Sequence, residues 1–244
     1  MFGIIISSVG LVATFGLTEL ESFDENQQLE NADRTFELIA RSFDELEESQ
    51  ATVRTEAIEL GGGSITVSSS SSINVTVRDT DTGKTAHKNF TLGSLQYEVG
   101  NRLIGYENGA TYRIRPNSDS GIILHKPGLV CSDGQSVLSF VTTRAEEDRY
   151  ISGSRTLRIT GRLAESSLLF PNSTWSASEI DQVDLKLTFG DESRAREWAN
   201  HFDRDPGEWT VKDQTDTSVT VRCGDGDDLD SVYIRRSIIE ISYS

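Results

Sequence analysis

Residues 29–63, LENADRTFELIARSFDELEESQATVRTEAIELGGG, decide how the rest of the chain is read. Leu29, Ala32, Phe36, Ile39, Phe43 and Leu46 recur at alternating steps of three and four, and the spacing runs on through Gln50, Val53, Ala57 and Leu60. Such steps return side chains to one helix face, so the pattern predicts an amphipathic helix with a heptad-like seam and one polar interruption, Gln50. Gly61-Gly62-Gly63 stops it, because glycine tolerates the left-handed backbone that ends helices. The seam has two readings. It packs on the domain that follows, or it pairs with the same helix of another copy.

Upstream, residues 2–17 carry no charge. Phe2, Ile4, Ile5, Ile6, Val9, Leu11, Val12, Phe15 and Leu17 make this stretch apolar on all sides. It lacks the basic start and the small-x-small cleavage site of a secretory signal. Its length sits at the lower edge of a membrane span, about 17 residues. Beyond it the chain turns acidic, and no proline occurs before residue 60. One helix over residues 2–59 is therefore expected, apolar then amphipathic, roughly 85 Å long. It would serve as membrane anchor and assembly element (residues 1–60).

The remainder, residues 64–244, reads as a β-rich head. Ser64-Ile65-Thr66-Val67-Ser68 and Ile73-Asn74-Val75-Thr76-Val77 alternate apolar and polar side chains, the period of a half-buried strand. The serines at 68–72 between them suggest a bend or exposed loop. Asn108-Gly109 predicts a hairpin turn, since both central positions of a type I′ turn need positive φ. Further strands are expected at 94–99, 102–107, 110–115, 121–125, 135–143, 155–163, 183–189, 209–211, 218–223 and 231–243. One short helix near 191–203 is capped by Asp191 and buries Ala195, Trp198, Ala199 and Phe202. The fold class is α+β, a long N-terminal α-helix followed by a β-rich globular head.

Composition narrows function. A net charge of −16 excludes nucleic acid as a partner, because phosphate contacts need a basic footprint. Five lysines against 18 arginines in so acidic a chain suit a high-salt medium, where screening relieves self-repulsion. Three Asn-x-Thr sequons, at Asn74, Asn89 and Asn172, are candidate glycan acceptors if the chain is exported. Cys131 and Cys223 are either bridged or two separate buried thiols, a choice that spacing does not settle. His87, His125 and His201 are far apart and suggest no metal centre. Asp225, Asp227, Asp228 and Asp230 offer carboxylates to calcium. They lack the spacing and terminal Glu of an EF-hand, so an acidic hairpin loop is the plainer reading and no cofactor is expected. There is no GxSxG, Walker loop or HExxH, and nothing positive supports an enzyme.

The chain resembles the pilin-like surface proteins of haloarchaea, of the class III signal-peptide type. The resemblance rests on Ile4-Ile5-Ile6-Ser7-Ser8-Val9-Gly10-Leu11-Val12, on Glu59-Leu60-Gly61-Gly62-Gly63-Ser64, and on Ile73-Asn74-Val75-Thr76-Val77. It extends to the hairpin Leu103-Ile104-Gly105-Tyr106-Glu107-Asn108-Gly109 and to Asp184-Leu185-Lys186-Leu187 with Ala195-Arg196-Glu197-Trp198-Ala199-Asn200-His201-Phe202. It implies an N-terminal helix that anchors the precursor in the membrane, a short basic leader removed by a prepilin peptidase, and helices that bundle into a filament with other copies or other pilins. The chain departs from the pattern in showing no such leader before Met1. The expected role is a cell-surface structural or adhesive subunit with its head outside and its surface ligand unspecified. The alternatives are a membrane-tethered binding module that does not polymerise and, with least support, a surface hydrolase.

Overall fold

Alternation builds most of the molecule. Ile73, Val75 and Val77 are buried in one row while Asn74 between them stays half-buried on the other face, as the two-residue period of a strand requires. The computed structural model describes residues 26–49, 51–116, 118, 120–145, 150–204, 207–224 and 229–244. Helix α1 covers residues 26–48 of this set.

Two sheets follow. Sheet A is ordered β1 (Val53–Glu59), β10 (Thr156–Phe170), β14 (Ser231–Tyr243), β8 (Gln135–Ala145), β7 (Leu129–Ser132). Sheet B is ordered β12 (Thr210–Thr215), β13 (Ser218–Cys223), β11 (Gln182–Thr188), β2 (Ser64–Asp79), β3 (Lys84–Val99), β4 (Arg102–Glu107), β5 (Ala110–Ile114), β6 (Gly121–His125), with the short β9 (Ile151–Ser152) beside the start of β2. Among the described strands all pairings are antiparallel except β14 with β8. Asn108 and Gly109, at φ 50° and 80°, turn β4 into β5 as the hairpin signal predicts. Helix α2 (Glu192–Arg204) begins where Asp191 Oδ1 accepts the Arg194 N–H at 2.9 Å, and buries Ala195, Trp198, Ala199 and Phe202.

The sheets come into close backbone contact where β3 crosses β8. A Cβ on Gly93 of β3 would lie 1.7 Å from the Thr143 carbonyl oxygen of β8, so only glycine fits there. Close to this crossing the core changes face. In β3, Phe90 and Leu92 belong to one core and Leu95, Tyr97 and Val99 to another. In β8 the division falls between Phe140 and Val141, and in β14 between Ile234 and Ile239. These steps are odd in number, and β8 and β14 pair without a register shift. The two cores therefore lie on opposite faces of the same strands. The first core is filled by the sheets themselves and by α2. The second is filled by α1, which buries Leu29, Ala32, Phe36, Ile39, Ala40, Phe43 and Leu46 against residues of both sheets. Phe43 lies directly over Gly161 of β10 and meets the Tyr106 ring edge-on at 5.0 Å.

The expected long helix with a separate head is thereby corrected. The described helix stops at residue 48, residues 53–59 form β1, and the helical seam is part of the β-rich body. Val53 is 45% exposed on β1, and Leu60 is buried just after it. The inward positions of β1 are Arg54, Glu56 and Ile58. Arg54 pairs with Glu45 of α1, and Glu56 accepts the Ser42 hydroxyl at 2.6 Å. The strand thus hides its alternation behind charged residues that α1 satisfies, while Val53, Ala57 and Leu60 imitate a continuing seam. The serines at 68–72 are not a loop. They lie within β2 at a bulge between Ser68 and Ser71, where the extra residue switches that strand's buried face as well.

Candidate functional site

Cys131 of β7 and Cys223 of β13 form a disulfide. It joins sheet A to sheet B, and both cysteines are buried in the first core. The topology brings together residues 92 positions apart, which no spacing in the sequence could announce.

The sequons are distributed unequally. Asn74 and Asn89 are direct cross-strand partners on β2 and β3, with Asn89 exposed and Asn74 half-buried. Asn74 Oδ1 accepts the Thr76 hydroxyl at 3.2 Å. Asn172 is exposed, but its amide folds into a turn. Its Nδ2 donates to the Leu169 carbonyl at 2.8 Å and its Oδ1 accepts the Thr174 N–H at 2.9 Å.

A buried polar cluster lies where α2 meets β2 and β4. Arg194 is nearly inaccessible. Its Nη1 donates to Glu107 Oε2 at 3.0 Å and to Ser71 Oγ at 3.1 Å, its Nη2 to Ser70 Oγ at 2.8 Å, and its Nε to Asp191 Oδ2 at 2.5 Å. Beside it the Tyr112 hydroxyl shares a hydrogen bond with Ser94 Oγ at 2.7 Å and accepts from Gln96 Nε2 at 3.2 Å. Burial raises the Glu107 carboxyl above the usual range against the pull of Arg194, and burial pushes Tyr112 up to about 12. Glu107 and Tyr112 are closed to solvent. The cluster works as a clamp between α2, the β4–β5 hairpin and the β2 bulge. The serines at 68–72 find their purpose here, since two of them receive the guanidinium.

A second feature is exposed. Val130, Val137 and Tyr233 stand in register across β7, β8 and β14, each about half exposed, with Leu168 of β10 nearby. They share the sheet face that α1 covers farther along. The helix ends where Ser139 donates to Glu47 Oε1 at 3.0 Å and Arg235 Nη1 donates to the Glu47 carbonyl at 3.3 Å. Past that end the apolar row is open to solvent.

Other expectations fall outside the described residues. These are the anchor residues Phe2, Ile4, Ile5, Ile6, Val9, Leu11, Val12, Phe15 and Leu17, and the acidic Asp225, Asp227 and Asp228; Asp230 is described, and its N–H donates to the Gly134 carbonyl at 2.6 Å. Among the described residues no helix is long and apolar enough to cross a membrane, and no group of three metal-ligating side chains converges.

A protein-family profile described as "Family of unknown function (DUF7289)" matches residues 1–242. The chain belongs to this family. No curated protein and no solved structure matches it. The DUF7289 match spans both sheets, both α-helices and the disulfide of the described residues.

Proposed function

We propose that this protein is a cell-surface structural or adhesive subunit of the pilin-like kind, held at the membrane through its apolar N-terminal residues. The observation that carries the reading is the Cys131–Cys223 disulfide between the sheets, because such bonds persist in oxidising, extracytoplasmic surroundings. The acidic composition and the open apolar row Val130–Val137–Tyr233 add support, the first as adaptation to a salty exterior and the second as a contact face. The test combines thiol counting with surface labelling. Protein taken from intact cells should yield no free thiol before reduction and should be reached by an impermeant amine label. Free thiols together with protection from the label would sink the proposal.

One observation favours the second reading, a membrane-tethered binding module that does not polymerise. The α1 seam is consumed by the chain's own second core, so residues 29–46 offer no apolar stripe to neighbouring helices. Sedimentation in detergent separates the two readings, with large assemblies supporting the subunit and monomers the module.

A further inference from the structure

The body is strongly acidic, yet three arginines gather at one place. Arg102 of β4 and Arg113 and Arg115 of and just after β5 line a cavity of about 340 Å³, together with Ile114, Ser120 and Ile122. The hairpin register explains the gathering. Leu103 pairs with Ile114, which sets Arg102 opposite Arg115. Arg113 lies two residues from Arg115 and so faces the same way. Ile122 is the β6 partner of Arg113, and the Arg115 N–H bonds to the Ser120 carbonyl at 3.1 Å. Arg113 is held by an ion pair to Asp33 of α1. Among the described residues, no acidic side chain pairs with Arg102 or Arg115.

We propose that this cleft is a binding site for an oxyanion, the carboxylate or sulfate of an acidic sugar. A chain of net charge −16 repels anions generally, but at this cleft Arg102 of β4 and Arg115 just past β5 bring two guanidinium groups beside Arg113, whose own charge is shared with Asp33. Arginine's planar fork suits two-oxygen groups, and a neutral body of similar shape would leave these donors unmatched. The cleft exceeds what one small ion needs and sits at the lower end of small-molecule sites, roughly 300–1,000 Å³. Ile122, 47% exposed, gives an apolar wall against which a sugar ring can lie. The site stands independently of whether the protein polymerises, since α1 contributes to it only through Asp33.

Calorimetric titration of the full chain tests this with two probes, sodium sulfate and a galacturonic acid trisaccharide. The paired variant Arg102→Gln/Arg115→Gln is compared with Arg155→Gln/Arg158→Gln, which removes two exposed arginines elsewhere. Because these side chains are at the surface, all forms should melt alike. Trisaccharide binding should weaken about tenfold or more in the first variant and stay unchanged in the second. Trisaccharide binding without sulfate binding assigns the site to a sugar-borne oxyanion. Sulfate binding with the same arginine dependence assigns it to the free ion. No binding of either probe, or equal loss in both variants, overturns the proposal.

Discussion

The two cores are built from the same strands but are secured differently. The first is closed by a disulfide between the sheets, by the Arg194 clamp and by a run of aromatic contacts through Phe189, Trp198, Phe202 and Trp209. The second has no covalent tie. It depends on the apolar seam of α1 and on polar pairs at the helix rim, including Asp33–Arg113, Asp44–His125, Glu45–Arg54 and Glu47–Arg235. The solvent-facing pairs, Glu45–Arg54 and Asp44–His125, are worth about 0–1 kcal/mol and are screened by salt, and the more buried Glu47 and Asp33 carboxylates lose hydration in return for their arginine partners, so packing must hold the helix. The difference teaches that α1 is a wedge retained by shape, in a body whose other half is locked by chemistry.

The comparison breaks outright if the crossing is lost. Gly93→Val should abolish cooperative folding of both halves, seen as loss of the near-ultraviolet circular dichroism signal, because the side chain must displace the β8 backbone. Retention of a native spectrum would show that the sheets can part without losing their cores. Phe36→Ala removes a fully buried ring from the seam and should cost about 3–5 kcal/mol in denaturant unfolding. Amide exchange should rise first in α1 and β1, while β11 and β13 stay protected. The paired substitution Cys131→Ser/Cys223→Ser should cost about 2–5 kcal/mol and reverse that order, loosening β7 and β13 before α1. Exchange rising uniformly in both variants would mean that the cores are not separable.

The smallest effect concerns pH. His125 of β6 lies 3.1 Å from Asp44 Oδ2, and its pKa is raised by the hydrogen bond to Asp44, with burial opposing. Glu37 adds to the upward shift and Arg41 opposes it. A raised folded pKa means the pair's contribution is complete below the unfolded histidine value, about 6.5, and is lost as pH rises through the folded value. The melting temperature should fall slightly across that window, and His125→Gln should flatten the fall. An unchanged slope in the variant would remove the pair from the account of how α1 is held.

Much of this was legible in the residues. The seam from Leu29 to Leu46 named the helix face that is buried, and Asn108-Gly109 fixed the hairpin. The end of α1 was hidden because the helix-facing side of β1 is Arg54 and Glu56, so hydrophobic alternation carried no signal there. Serines 68–72 read as a loop because their partner, Arg194, lies more than a hundred residues away. The pairing of the cysteines depended on long-range topology in the same way. The arginine cleft left a clue. Once Asn108-Gly109 sets the register, counting outward places Arg102 against Arg115, but only burial shows that a cavity opens there.

β14 lies in the middle of sheet A, between β10 and its parallel partner β8. During synthesis, then, β1 can join β10 and β7 can join β8 as separate pairs, but the two pairs cannot meet until residues 231–243 have been made. Sheet A is completed from its centre, late, by a strand that supplies both seams at once. A chain that stops short of Ser231 would hold two unjoined ribbons with their edges open, the kind of edge that pairs with other chains.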